Sequence, residues 1–265
     1  MRHDLASTWP PEVRRYLDRR KADLIAHRGF DRKEHEAYFE GNRTGKRYQR
    51  RPNPYTETRR ETEAEVERLL QTEVLRGWHC TRLTDPEIDH VVSHGMGLPG
   101  PEMLGDRIWA LVKSKVIDRK TADKLIAENE AEDEHRQGMI WFCFFPPAAA
   151  GQHGIERFFR CWGGEALYNS HEVDPVMAPI LGCIGQACVI EADVPVHSLA
   201  PYGSLGKHTV DTYLAWFGVD PGDDPKHEAA AIQPIPAKNI VCVIRFGDND
   251  FESLTDCSSW DPPIG

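Results

Sequence analysis

The stretch Trp78-His79-Cys80-Thr81-Arg82-Leu83-Thr84-Asp85-Pro86-Glu87-Ile88-Asp89-His90-Val91-Val92-Ser93-His94-Gly95 decides how this chain is read. Its first six residues read as a short strand that carries His79, and the remainder as a turn followed by a helix. Thr84 and Glu87 have the spacing of a capping box, with Pro86 in the first turn, where a missing N–H costs nothing. Ile88, Val91 and Val92 share one face, and Gly95 supplies a stop. A histidine is thus held at the end of a strand, beside a helix start.

Composition bounds what surrounds this unit. The 265 residues, 40% hydrophobic, are enough for one large domain, or one domain with an appendage. No run of 18 apolar residues occurs, and Met1-Arg2-His3-Asp4 lacks an apolar leader, so the expectation is a cytoplasmic protein without a membrane partner. The seven cysteines form no CxxC pair, and several lie in apolar runs such as Trp141-Phe142-Cys143-Phe144-Phe145, which fits buried thiols better than disulfides or zinc. Adjacent His79 and Cys80 point to opposite faces of a strand, and HExxH is absent, so no metal is expected.

Charge divides the chain unevenly. The first 60 residues hold 16 of the 32 basic residues but only 9 of the 42 acidic ones, giving a basic head on an acidic body. Within the head, Pro11 opens a helix expected to run to about Ala26, a second helical piece covers Arg32–Phe39, and Gly41-Asn42 breaks it. The arm that follows carries Arg43, Lys46, Arg47, Arg50 and Arg51 with Tyr48 and Tyr55. It has three readings: a nucleic-acid contact in which cations track phosphates and the tyrosines stack on bases, a solvated linker, or an arm docked on the acidic body of the same chain. An amphipathic helix over Glu61–Leu75 then leads into the His79 strand.

Beyond Gly95, two helices are expected around Glu102–Val116 and Arg119–Glu132, the second capped by Asp118. Met139–Phe145 reads as a fully buried central strand, stopped by Pro146-Pro147. A Gly-rich entry, a helix with Arg157 and Arg160, a Gly163-Gly164 stop and a short strand to Tyr168 follow; arginines at such a helix suit phosphate. In the last third, Ala187–Pro195 reads as a half-exposed strand, Thr209–Phe217 as a short surface helix, and Glu228 as the start of a strand. A buried strand at Asn239–Phe246 closes the sheet, and residues 247–265 read as a loosely attached polar tail.

The order of a His-x-Thr-Arg strand, a helix ending in Gly, a central aromatic strand, and a Glu ahead of an Ile-Pro-x-x-x-Ile strand resembles the ADP-ribosyltransferase superfamily. The resemblance covers residues 75–246. It implies an α+β fold with an ADP-ribosyltransferase-like split β-sheet core and a helical insertion at 101–137, and it leaves the basic helical N-terminal extension over 1–74 unexplained. It also implies NAD as co-substrate. His79 would hold the adenosine ribose, the Cys80 backbone would face the nicotinamide amide, and Thr81 and Arg82 would line the floor. Glu228 would be the carboxylate that supports the cationic ribosyl transition state, since breaking a C–N glycosidic bond builds positive charge on the sugar.

Two departures qualify the match. The family's second motif, a Tyr or Ser after the central strand, is replaced by Phe145-Pro146-Pro147, which leaves Trp162 or Tyr168 to stack on nicotinamide. The 101–137 helices are an insertion relative to compact members. The expected function is transfer of ADP-ribose from NAD to a macromolecular acceptor, nucleic acid or protein. The alternative is a catalytically silent module of the same fold that binds nucleic acid or an acidic partner through the arm; transfer of an RNA phosphate to NAD is a minor third. The deciding relationship is whether His79 and Glu228 face one another across a cleft open enough for a dinucleotide; if they lie on opposite sides of the sheet, the enzyme reading is to be dropped.

Overall fold

The computed structural model describes every residue except 46–47, 201–203, 225 and 265, so Lys46 and Arg47 of the arm lie outside the described residues. The chain is α+β and divides into two units, Met1–Leu75 with Pro201–His227, and Arg76–Ala200 with Glu228–Gly265. The first therefore extends beyond the expected N-terminal segment by a later piece of chain. Among the described residues no helix is long and apolar enough to cross a membrane.

The first unit is helical. One continuous helix, α1 (Pro11–Arg43), replaces the two expected pieces, and α2 (Thr56–Leu70) follows the arm. Gly29 and Gly41 disfavour a helix locally, at about 1 kcal/mol each, but tertiary contacts override them. Val13, Leu17 and Leu24 are buried, and Asn53 of the arm donates to the His27 carbonyl (3.0 Å) and to Asp31 (2.7 Å), bracing the helix across Gly29.

The later segment adds a helix, α9 (Leu205–Trp216), which is not the short surface helix expected from sequence: Thr209, Val210, Asp211, Tyr213 and Leu214 are buried. The wholly buried Asp211 receives Arg59 at 2.6 Å and Lys207 at 3.1 Å, so this helix turns a charged pair inward. A Cβ on Gly206 would lie 2.1 Å from the Glu63 carbonyl, so α2 and α9 meet at a distance only glycine permits.

The second unit is built on a five-stranded sheet in the order β5-β3-β1-β4-β7. In chain order its elements are β1 (Val74–Leu83, whose first two residues belong to the other unit), α3 (Asp85–His94), β2 (Gly95–Met96), α4 (Pro101–Lys113), α5 (Arg119–Ala127), β3 (Ile140–Cys143), α6 (Gln152–Arg160), α7 (Glu165–His171), α8 (Met177–Cys183), β4 (Gln186–Pro195), β5 (Glu228–Ala231), β6 (Ile235–Pro236), β7 (Ile240–Arg245) and α10 (Asn249–Thr255). β2 and β6 form a separate two-stranded ladder.

Several expectations need correction here, among them the buried strand at 239–246: in β7 Val241 is 46% exposed and Cys242 is exposed, and Ile244 alone is buried. Glu165–His171 is helical rather than a strand, because Gly163 and Gly164, both at positive φ, turn the chain into a new helix instead of ending one. β3 is not buried throughout: Ile140 and Phe142 are, while Trp141 between them is 39% exposed. Among the described residues of the expected loose tail, 247–264 are not loose. Phe251, Cys257, Trp260 and Ile264 pack with Trp78, Ile155, Phe159 and Val189, a few large anchors among polar residues that hide the signal in an average.

The helices α4, α5, α7 and α8 share their own core, with Leu104, Ile108, Leu125, Trp162, Leu167 and Leu181 buried together. The 101–137 segment thus packs with the 162–181 helices as one apolar cluster. On the face of the sheet opposite Trp78 and Val189, α3 covers Leu83, Cys188 and Ile190 with Ile88 and Val91.

Candidate active site

Side chains of cross-strand partners share a face, and neighbours along a strand alternate. β3 pairs with β5 as Ile140↔Ala231, Trp141↔Ala230, Phe142↔Ala229 and Cys143↔Glu228, and β1 meets β3 at Trp78↔Cys143. One face therefore carries Trp78, Cys80, Trp141, Cys143, Glu228 and Ala230; the opposite face carries Gly77, His79, Phe142 and Ala229. Side-chain contacts agree: Cys143 Sγ lies 4.0 Å from Glu228 Oε1, and the His79 and Phe142 rings are 5.9 Å apart.

The fold thus brings Glu228 and His79 to strands separated only by β3, but turns them to opposite faces. They do not face one another across a cleft, and the expected joint grip on one dinucleotide is not formed. The cause is the two-residue period of a strand: Glu228 is in register with Trp78, and His79 is one step further on.

The Glu228 face has its own character. The carboxylate is exposed, the Trp141 indole beside it is 39% exposed, and small residues, Cys80, Cys143 and Ala230, form the floor. Trp141 and Glu228 are diagonal neighbours, at about 7 Å between backbones. The indole N–H donates to the His135 carbonyl at 3.3 Å, which fixes the ring. Burial pushes the Cys143 thiol up to about 12, with Glu228 adding to the rise. Burial, then Cys143 and Glu228, raise Cys80 well above its ordinary value. Both stay neutral thiols, unsuited to nucleophilic attack.

His79 acts from the other side. Burial lowers its pKa, opposed by its bond to the Trp141 carbonyl and reinforced by Arg107, so the imidazole is neutral near pH 7. Its Nδ1 lies 2.8 Å from that carbonyl oxygen, which can only accept, so Nδ1 carries the proton and Nε2 keeps its lone pair. The histidine braces the backbone of the residue whose indole stands beside Glu228.

The remaining expected cofactor residues are engaged elsewhere. Arg82 is buried and donates to the carbonyls of Ile184 (2.7 Å), Phe159 (2.9 Å) and Gly185 (3.0 Å), a clasp between β1 and the loop before β4. At Gly185, φ is +63° and a Cβ would lie 2.3 Å from the Leu83 carbonyl, so the clasp needs glycine there. Arg157 grips Glu172 at 2.7 Å and covers the Tyr168 ring at 3.9 Å. Arg160 bonds the Pro262 carbonyl and Glu156.

Trp162 and Tyr168, the expected stacking rings, are 0% and 3% exposed and belong to the helical core. Thr81 is half-buried on the His79 face. The arginines expected to contact phosphate, Arg157 and Arg160, are thus already paired.

Sequence reasoning missed a polar hub. Glu87 accepts from the Thr84 N–H (2.7 Å), the Thr84 hydroxyl (2.8 Å), the Trp162 indole (3.0 Å) and Arg107 Nε (2.6 Å). Burial opposes its ionisation, but Arg107 and these donors outweigh burial and hold the pKa below its ordinary value. The capping-box spacing predicted the first of these contacts; nothing in the sequence announced Trp162 or Arg107.

The arm does not project from the first unit. Arg51 pairs with buried Glu34 through its side chain and its backbone N–H (2.9 Å), and the Tyr48 hydroxyl donates to the same carboxylate at 2.7 Å. Arg43 pairs with Glu40 at 2.8 Å. The described arm residues are thus docked, but on Glu34 and Glu40 of α1 within the basic head and not on the acidic body. A surface depression over α2, lined by Glu57, Arg60, Glu61, Glu63 and Glu67, offers four carboxylates that repel phosphate.

Among the described residues, no group of three or more His, Cys, Asp or Glu side chains is placed to hold a metal ion. Comparison with family models, curated proteins and solved structures gave no match.

Proposed function

We propose that the chain breaks the nicotinamide–ribose bond of NAD and transfers ADP-ribose to a macromolecular acceptor, with Glu228 as the catalytic carboxylate acting without a contact from His79, whose place on the opposite face removes the paired site on which the enzyme reading first rested. The observation that supports this reading above the others is the exposed Glu228 carboxylate standing on one face with the exposed, pinned Trp141 indole over a floor of small residues. A flat wall beside a carboxylate suits a nicotinamide ring attached to a sugar that becomes cationic. As the C–N bond breaks, its electron pair leaves with nicotinamide, positive charge develops on the ribose, and Glu228 stabilises it. The acceptor nucleophile then bonds to the anomeric carbon and loses its proton to Glu228 or solvent. His79 is a positioning residue, acting through the Trp141 backbone.

The opposite-face placement of His79 favours a second reading, in which the fold is kept but the module is catalytically silent. Labelled NAD separates the two. Transfer or nicotinamide release that exceeds a Glu228→Gln control supports the enzyme; turnover no greater than that control leaves the silent module.

A further inference from the structure

The exposed end of α1 presents rings in an arrangement that the docked arm completes. His35, Tyr38 and Phe39 lie three and four residues apart, on one side of the helix. The His35 and Phe39 rings are 4.6 Å apart, and those of Tyr38 and Phe39 5.7 Å apart. Phe39 is 56% exposed and Tyr38 36%, an unusual cost for a helix surface unless something covers them. The arm then lays the Arg50 guanidinium over the Tyr38 ring at 4.7 Å, with Nη2 3.2 Å from His35 Nδ1. The outcome is a surface of three rings and a pre-positioned cation.

The local charge favours an anion. Residues 30–55 carry seven basic and four acidic side chains. Of the acids, Glu34 is neutralised by Arg51, Glu40 by Arg43, and Asp31 is held by Asn53, while Glu36 faces Arg32 at 3.9 Å. Exposed Lys33 and Arg50 make no ion pair among the described contacts. Alternating rings and cations suit a ligand with flat faces and a phosphate backbone. A duplex hides those faces, and an acidic peptide lacks them.

We propose that His35, Tyr38, Phe39 and Arg50 form a platform for single-stranded nucleic acid. The stacking groups are on α1, and Tyr48 serves to dock the arm. The platform does not depend on NAD chemistry, and its failure would leave the Glu228 reading intact.

The test is fluorescence anisotropy of the full chain with labelled 12-mer oligo(dT), oligo(U) and a duplex of the same length, each with and without NAD. Wild type should bind the single strands more tightly than the duplex. Affinity should fall about tenfold between about 50 and 200 mM salt for two or three phosphate contacts. The double variant Tyr38→Ala/Phe39→Ala should weaken binding roughly tenfold or more, and Arg50→Ala should weaken it and flatten the salt dependence. Because both rings are exposed, the far-UV circular dichroism should be unchanged, and Arg15→Ala, an exposed cation elsewhere on α1, should bind as wild type. Absence of single-strand binding, a preference for duplex, or equal binding by a folded double variant would overturn the platform.

Discussion

His79 and Glu228 stand on β1 and β5, with β3 alone between them, and point to opposite faces of the sheet. Two residues remote in sequence are therefore close in space yet cannot grip one ligand from the same side. The histidine meets the carboxylate's face only through its bond to the Trp141 carbonyl.

That connection predicts unequal effects. Trp141→Ala removes the wall beside Glu228 and should raise KM for NAD about tenfold or more, in line with the loss of one aromatic stack. His79→Ala should act more weakly on KM, because it only loosens the Trp141 backbone, while His79→Gln, which keeps a donor, should recover part of the loss. Steady-state kinetics on the three variants checks this.

The Glu87 hub should be worth more than its sequence position suggests. Glu87→Ala leaves Arg107 and the Trp162 indole without their acceptor in the interior, and should cost about 3 kcal/mol. The urea midpoint should fall accordingly, with little change in slope.

Acid should weaken the first unit. The rings of His3 and His227 are 5.4 Å apart, and those of His227 and His208 4.9 Å apart, with the Thr209 hydroxyl 3.3 Å from His3 Nε2. Burial, then His227 and His208, hold His3 well below 6.5. Burial and His208 lower His227 to about 3. For His208, burial and Lys207 outweigh Asp211, Asp223 and Asp224. These folded-state values are depressed, so the stability they contribute is full above pH 6.5. It is lost as pH falls, at about 1.4 kcal/mol per pH unit for each imidazole that charges only on unfolding. Thermal melts at pH 7.5 and 5.5 should show a drop that His227→Phe reduces.

Thiol labelling offers a simple check on the burial pattern. Cys183 and Cys242 are exposed, Cys143 is half-buried, and Cys80, Cys161, Cys188 and Cys257 are buried. Cys183 should label first. Cys242 should lag behind it, because burial and Glu191 raise its pKa, and the buried four should require denaturant.

Local signals in the sequence were readable, and long-range ones were not. Thr84 and Glu87 cap α3 as their spacing indicated, and Asp118 accepts from the Thr121 N–H at 2.7 Å as an N-cap does. The strands bearing His79 and Glu228 were legible from their apolar runs. Their faces were not, because a one-residue difference in register decides them and register is set by partners far along the chain. Trp162 and Tyr168 looked free beside Gly163-Gly164, but α4, α5 and α8 enclose them. Nor did the sequence reveal that residues 201–227 fold with the N-terminal helices, since only a contact such as Gly206 against Glu63 requires it.

The most direct test of the account is nicotinamide release from labelled NAD by the full chain and its Glu228→Gln variant. The substitution keeps the shape and removes the charge that would stabilise the ribosyl cation. The account predicts measurable release by wild type and a loss of about a hundredfold or more in the variant, with the fold unchanged. Equal release by the two proteins, or none by wild type, would contradict it.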